Sequence, residues 1–117
     1  MWEVRYHPAA EDERKELPIK ERTALANAVE KLQRLGPGLP YPHQSNVEGV
    51  KRGQRTSSLR ELRPRAGKSP WRAFYRRFGD VFVIGAVGPE AQVDKRKFNR
   101  AVDEAIARLD EVEEVVS

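Results

Sequence analysis

The clearest regularity in the chain is a spacing of three and four residues between apolar side chains from Ile19 to Leu35. Leu25, Ala28, Val29, Leu32 and Leu35 fall on one stripe, and Gly36-Pro37 supplies a stop. A helix packed on the rest of the fold is therefore predicted over 19–35. A second stripe runs through Phe98, Ala101, Val102, Ala105, Ile106 and Leu109. Asp94 stands before it as an N-cap, and the acidic end DEVEEVVS is expected to fray. Elsewhere the period drops to two. Trp2–His7 alternates, with Trp2, Val4 and Tyr6 on the buried side, and Pro8 ends the run.

Three further strands are predicted at Leu59–Arg63, Trp71–Arg77 and Val81–Val87, divided by Pro64 to Pro70 and by Gly79-Asp80. The last is apolar almost throughout, the signature of a strand covered on both faces. Ala9–Glu16 is a short helical stretch with acids early and bases late, and Leu17-Pro18 separates it from the next helix. Gly36–Gln54 has no strong pattern: GPGLPYPH is turn-rich, and only Val47–Gly53 has weak strand character. The order is strand, helix, helix, three strands, helix. That is an α+β domain, residues 1–117, with helices against one antiparallel-rich sheet.

The absence of cysteine excludes disulfides and thiolate metal sites and makes a reducing cytoplasm the expected home. No apolar run approaches the roughly 18 residues of a membrane span, and MWEVRYHP lacks the layout of a signal peptide. The net charge of +4 is unevenly distributed. Residues 1–35 hold seven bases and seven acids, whereas Lys51–Arg77 holds ten bases and one acid, Glu61. A basic patch confined to the strands suggests a polyanionic ligand, most simply nucleic acid. Its candidate contacts are Lys51, Arg52, Arg55, Arg65, Lys68 and Arg76, joined by Arg96 and Lys97 at the head of the last helix.

Arginines inside half-buried strands need a charge partner or a solvent-facing role. Arg63 and Arg72 are the two whose planar forks suit a phosphate, and a cross-strand pair with Glu61 is their structural alternative. His43, in the proline-rich loop, is the side chain best matched to proton transfer at neutral pH, whereas His7 is expected to be structural. Trp71 and Tyr75 share a strand face and are expected in the core rather than against a base. Arg72 shares the other face with Phe74, so it must sit near the sheet end to reach a ligand.

Leu62-Arg63 within LRELR, the run WRAFYRRFGD, the apolar VFVIGAV and a final helix opened by DKRK resemble the RelE/ParE superfamily of type II toxins, and within it the HigB-like, phage-derived branch. The resemblance extends over most of the chain. It implies the RelE-like order β-α-α-β-β-β-α and a toxin that cleaves mRNA on the ribosome without a metal or organic cofactor. The RNA 2′-hydroxyl attacks the adjacent phosphate and leaves a 2′,3′-cyclic phosphate and a 5′-hydroxyl. A cognate antitoxin, typically a helix-turn-helix protein, is the implied partner.

At family positions Arg63 and Arg72 hold the phosphate. The segment AVGPEAQVDKRKFNR has neither the His nor the Tyr that HigB-like members commonly place there. Lys95 and Lys97, Glu90 and Asp94, or His43 from the preceding loop, are left for proton transfer. Two other outcomes remain open on this fold: a ParE-like DNA gyrase inhibitor without catalysis, and a module that only binds nucleic acid or an antitoxin.

Overall fold

The computed structural model describes residues 1–47 and 59–116. The chain runs β1 (Glu3–Tyr6), α1 (Pro8–Lys15), α2 (Ile19–Leu35), β2 (Gln44–Asn46), β3 (Arg60–Leu62), β4 (Trp71–Phe78), β5 (Val81–Pro89) and α3 (Lys95–Val116), with short 3-10 turns at Gly36–Gly38 and Pro64–Gly67. The five strands form one sheet in the order β1-β5-β4-β3-β2. β1 is parallel to β5, and the other pairs are antiparallel. This is the α+β, antiparallel-rich architecture expected.

β5, the longest strand, lies between β1 and β4 and is covered on both sides. Phe82, Ile84 and Val87 join Leu25, Ala28 and Leu32 of α2 in one core, together with Leu62, Ala73 and Tyr75. Ala86 joins Phe74 and the α3 stripe Ala101, Val102, Ala105, Ile106 and Leu109 in a second core on the opposite face. Its inward face changes parity because the β4–β5 register slips: Phe74 pairs with Ala86 but Tyr75 with Ile84, which leaves Gly85 as the extra residue of a bulge. β1 ends at Tyr6, opposite Ile84, so the second half of β5 has no strand on that side. Side chains complete it. The Arg108 guanidinium donates to the Gly85 carbonyl at 2.9 Å, and Glu13 accepts from the Val87 N–H at 2.9 Å. Glu13 and Arg108 also pair with each other at 3.2 Å, which links α1 to α3 around the bulge.

Helix ends follow the sequence logic. His7 caps α1, its Nδ1 accepting from the Ala9 N–H at 3.1 Å, so Pro8 opens the helix rather than merely closing the strand. Asp94 caps α3 by accepting from the Lys97 N–H at 3.0 Å. Three expectations change. The Gly36–Gln54 stretch contains β2, whose three polar residues have no pattern of their own and become a strand by pairing with β3. The acidic end does not fray but continues α3 to Val116, anchored where Asp110 binds Arg76 of β4 at 2.8 Å. Leu35 at the end of the α2 stripe is 50% exposed and stays out of the core.

α3 lies unusually close to β5. A Cβ added at Gly88 would stand 2.6 Å from the Ala101 Cβ, whereas one at Gly38 would meet nothing within 4 Å. Gly88→Ala should therefore lose about 1–3 kcal/mol in urea denaturation through overpacking. Gly38→Ala should stay within about 0.5 kcal/mol of the parent.

The phenols of the half-buried Tyr6 and the buried Tyr75 are pushed up to about 12, in both cases chiefly by desolvation. In the unfolded chain a tyrosine ionises near 10. The unfolded state therefore loses these protons first as pH rises. The contribution of the two phenols is complete below pH about 10 and is lost as pH climbs toward about 12. Denaturation midpoints measured across that window should fall together with the appearance of tyrosinate absorbance.

Candidate functional site

The end of the sheet where β4 begins is built around buried charge. β4 starts at Trp71, and Arg72 is its second residue, opposite Gly88 of β5. Phe74, two residues on, turns the same way and packs edge-on against Phe98 of α3 at 5.4 Å between ring centroids. Arg72 thus reaches the open end of the sheet while Phe74 enters the core, which reconciles the two residues on one strand face. The side chain of Arg72 is only 3% exposed. Its Nη1 donates to the carbonyls of Ser69 at 2.7 Å and Trp71 at 2.8 Å, and its Nη2 to Gly67 O at 3.3 Å and Glu90 Oε2 at 2.6 Å. Glu61 Oε1 lies 3.9 Å from Nε. Burial, followed by the like charge of Arg63, pulls Arg72 below the ordinary arginine value, and Glu61 and Glu90 pull it back.

Arg63 follows β3 directly. Its Nε donates to Pro42 O at 3.0 Å, its Nη1 to Glu61 Oε1 at 3.0 Å, and its guanidinium sits 5.4 Å from the centroid of the Tyr41 ring. Glu61 also accepts from Ser45 Oγ at 3.0 Å, so this one carboxylate ties β2 and β3 to both arginines. The turn between the arginines is strained. Arg65 and Ala66 have φ of 54° and 55°, and Gly67 has 92°. Two successive left-handed residues other than glycine cost roughly 1 kcal/mol each or more. Glu21 of α2 holds the turn from outside, accepting from Arg65 Nη2 at 2.8 Å and Ser69 Oγ at 2.8 Å. The φ of Gly67 favours glycine, and a Cβ there would lie 2.6 Å from Arg63 Nη2, so a side chain at this position would have to displace the end of that guanidinium.

These groups line a cleft of about 830 Å³, to which Glu61, Arg63, Arg72, Glu90, Gln92, Tyr41 and Ser45 all contribute. Arg63, Arg72 and Glu90 are thus brought together as the sequence suggested. Other candidates are not. His43 does not line the cleft; it lines a smaller pocket of about 110 Å³ with Asn27, Lys31 and Leu62, to which Arg63 and Arg65 also contribute. Its contribution to Arg63 is a backbone carbonyl, which accepts from the Arg63 N–H at 2.9 Å. Lys95, Arg96 and Lys97 are exposed on the first turn of α3, none of them lining the cleft, and Asp94 is spent as the cap.

Arg65 is held by Glu21, and Lys68 is exposed on the same turn. Arg76 is 2% exposed and faces Asp110, so it is a core cation and not a surface contact for RNA. Lys51, Arg52 and Arg55 lie outside the described residues. Sequence reasoning missed Tyr41, Ser45, Gly67 and Gln92. Only Tyr41 carries a signal that would have found it: a large aromatic between two prolines, just ahead of the basic strands.

Known proteins resemble the chain in sequence and in overall fold. The model of a family described as Phage derived protein Gp49-like (DUF891) matches residues 12–87, well over half of the chain. The chain belongs to this family. Gp49-like proteins are a RelE/HigB-type toxin family, in agreement with the resemblance read from the strands. No curated protein sequence matches the chain. Among solved structures, the free state of an E. coli toxin RelE mutant, with two arginines replaced by alanine, aligns with a TM-score of 0.55 at 17% identity, covering 87% of this chain and 95% of that one. At that identity the likeness is one of fold. The matched span, 12–87, contains Tyr41, Glu61, Arg63, Gly67 and Arg72 but ends before Glu90. No helix among the described residues is long and apolar enough to cross a membrane.

Gly67→Ala tests how tightly the turn is built around Arg63. Gly79, with φ of 65° and nothing near its Cβ position, supplies the reference for left-handed strain alone. Gly79→Ala should cost about 1–2 kcal/mol. Gly67→Ala should cost more, and the excess should vanish in the Gly67→Ala/Arg63→Ala double variant when denaturation midpoints are compared.

Proposed function

We propose that this Gp49-like chain is the toxin of a toxin–antitoxin pair and that it cleaves mRNA on the ribosome, with the RNA 2′-hydroxyl as nucleophile. The observation that carries the reading is the convergence of Arg63 and Arg72 from adjacent strands into one cleft that also holds two carboxylates. The scissile phosphate is held by Arg63, which is the more accessible of the two, with Arg72 behind it. Their charges stabilise the phosphorane-like state as the 2′-oxygen–phosphorus bond forms and the bond to the 5′-oxygen breaks. Glu90, at the surface of the cleft, is the base in reach of the 2′-hydroxyl. The proton it takes is the one the departing 5′-oxygen needs. Lys95 does not line the cleft and His43 adjoins Arg63 only through the smaller pocket, so neither is assigned a step in this scheme. An antitoxin completes the pair as the partner that silences it.

Both arginines are neutralised by carboxylates in this structure, so phosphate binding is an exchange of anions: RNA displaces Glu90 from Arg72 and Glu61 from Arg63. The same neutralisation supports a second reading, a ParE-like inhibitor of DNA gyrase that binds without cleaving.

Induction of the protein should create new 5′ ends in translated mRNA, read by primer extension, and purified gyrase should continue to supercoil DNA in its presence. Intact mRNA together with inhibited supercoiling would reverse the assignment. Arg63→Ala should lower cleavage by about 100- to 1,000-fold, the usual cost of removing one transition-state donor. Arg63 is the cleaner probe, since Arg72→Ala would strip the buried end of the sheet of its central donor and must be read with a denaturation control.

A further inference from the structure

The cleft contains one large side chain that neither ion pairing nor packing explains. Tyr41 lines it and is 71% exposed, although aromatic rings of that size normally find cover. The ring is held in place from two directions. Pro40 and Pro42 flank it in sequence, and Pro42 is fastened to the site because its carbonyl accepts from Arg63 Nε at 3.0 Å. The Arg63 guanidinium lies 5.4 Å from the ring centroid on one face. With so much of its surface exposed, the ring keeps area free for a second planar group. The strand aromatics Tyr75 and Trp71 cannot serve in this way, since Tyr75 is in the α2-side core and Trp71 is packed against it.

We propose that Tyr41 is the stacking platform for one nucleobase of a single-stranded RNA, the base next to the phosphate held by Arg63. This rests on the reading of the cleft as an RNA site and adds to it a subsite. A phosphate on the Arg63 guanidinium and a base on the adjoining ring match the alternation of charge and π-surface along an unpaired strand. A paired base would keep its faces in the helical stack, so the subsite takes a splayed-out nucleotide. Stacking is tolerant of base identity, so the subsite orders the strand and sets its register without demanding one sequence.

Binding and cleavage are measured separately. A fluorescent oligoribonucleotide with 2′-O-methyl groups throughout cannot be cleaved by its own 2′-oxygen, and its affinity is read by anisotropy at low salt on the full chain. Tyr41→Ala should weaken binding by about 10-fold or more, within the range of base–aromatic stacking, and Tyr41→Phe should bind as the parent does. The slope of affinity against salt should be unchanged in Tyr41→Ala, which removes no charge, and shallower in Arg63→Ala. An abasic nucleotide placed at successive positions should weaken the parent at one position where Tyr41→Ala is indifferent. Parent-like binding by Tyr41→Ala overturns the platform and leaves the nuclease reading standing. Tyr41-dependent binding without cleavage of unmodified mRNA on ribosomes retains the platform and overturns the nuclease. Binding weakened in Tyr41→Phe as much as in Tyr41→Ala makes the phenol hydroxyl the contact and overturns stacking as the role of the ring.

Discussion

A guanidinium buried to the depth of Arg72 costs several kcal/mol unless its donors are matched, and much of the functional end of this molecule can be understood as that match. Three backbone carbonyls and one carboxylate accept directly from it. They come from the turn after β3, the start of β4 and the end of β5. Bringing them together requires the chain to reverse sharply between Arg63 and Trp71, and that reversal puts Arg65 and Ala66 in left-handed conformations. Glu21 offsets the strain from α2. The turn, the second arginine and the cleft are thus parts of one arrangement.

The second constraint is the double coverage of β5. Packing two layers on one strand needs a place where the inward pattern can change sides, and Gly85 provides it as a bulge beneath Leu109. The bulge leaves backbone groups without a strand partner, and Glu13 and Arg108 satisfy them. Gly88 lets α3 close down beside Phe74, which keeps the apolar end of β4 sealed and leaves Arg72 beyond the helix start, at the cleft. The core and the site are set by neighbouring residues of the same two strands.

Among the described residues, the arginines of the strand region are paired with carboxylates rather than left as a simply basic surface. The charge count along the chain predicted a cationic surface, yet Arg63, Arg65, Arg72 and Arg76 each face a carboxylate. Three of the four acids, Glu21, Glu90 and Asp110, lie outside the basic stretch of sequence. Such pairing fixes the positions of the guanidinium groups. It also means that a phosphate must outcompete fixed carboxylates, a condition that favours a substrate gripped at several points.

The sequence by itself determined the helices, the long strands and the two arginines. Periodicity of three to four or two is a local consequence of which side of an element is buried, and it survives without tertiary information at Ile19–Leu35 and Trp2–His7, while Val81–Val87 is legible as an unbroken apolar run. Caps at His7 and Asp94 are equally local. Only the tertiary structure decided which cations are free and which are neutralised, because Glu21, Glu90 and Asp110 reach Arg65, Arg72 and Arg76 across 18 to 44 residues of chain. It alone made β2 a strand, since three polar residues acquire that form only against a partner. It alone put Tyr41 in the cleft and His43 in the smaller pocket beside α2: two loop residues one proline apart line different pockets, and no pattern in a proline-rich loop encodes that.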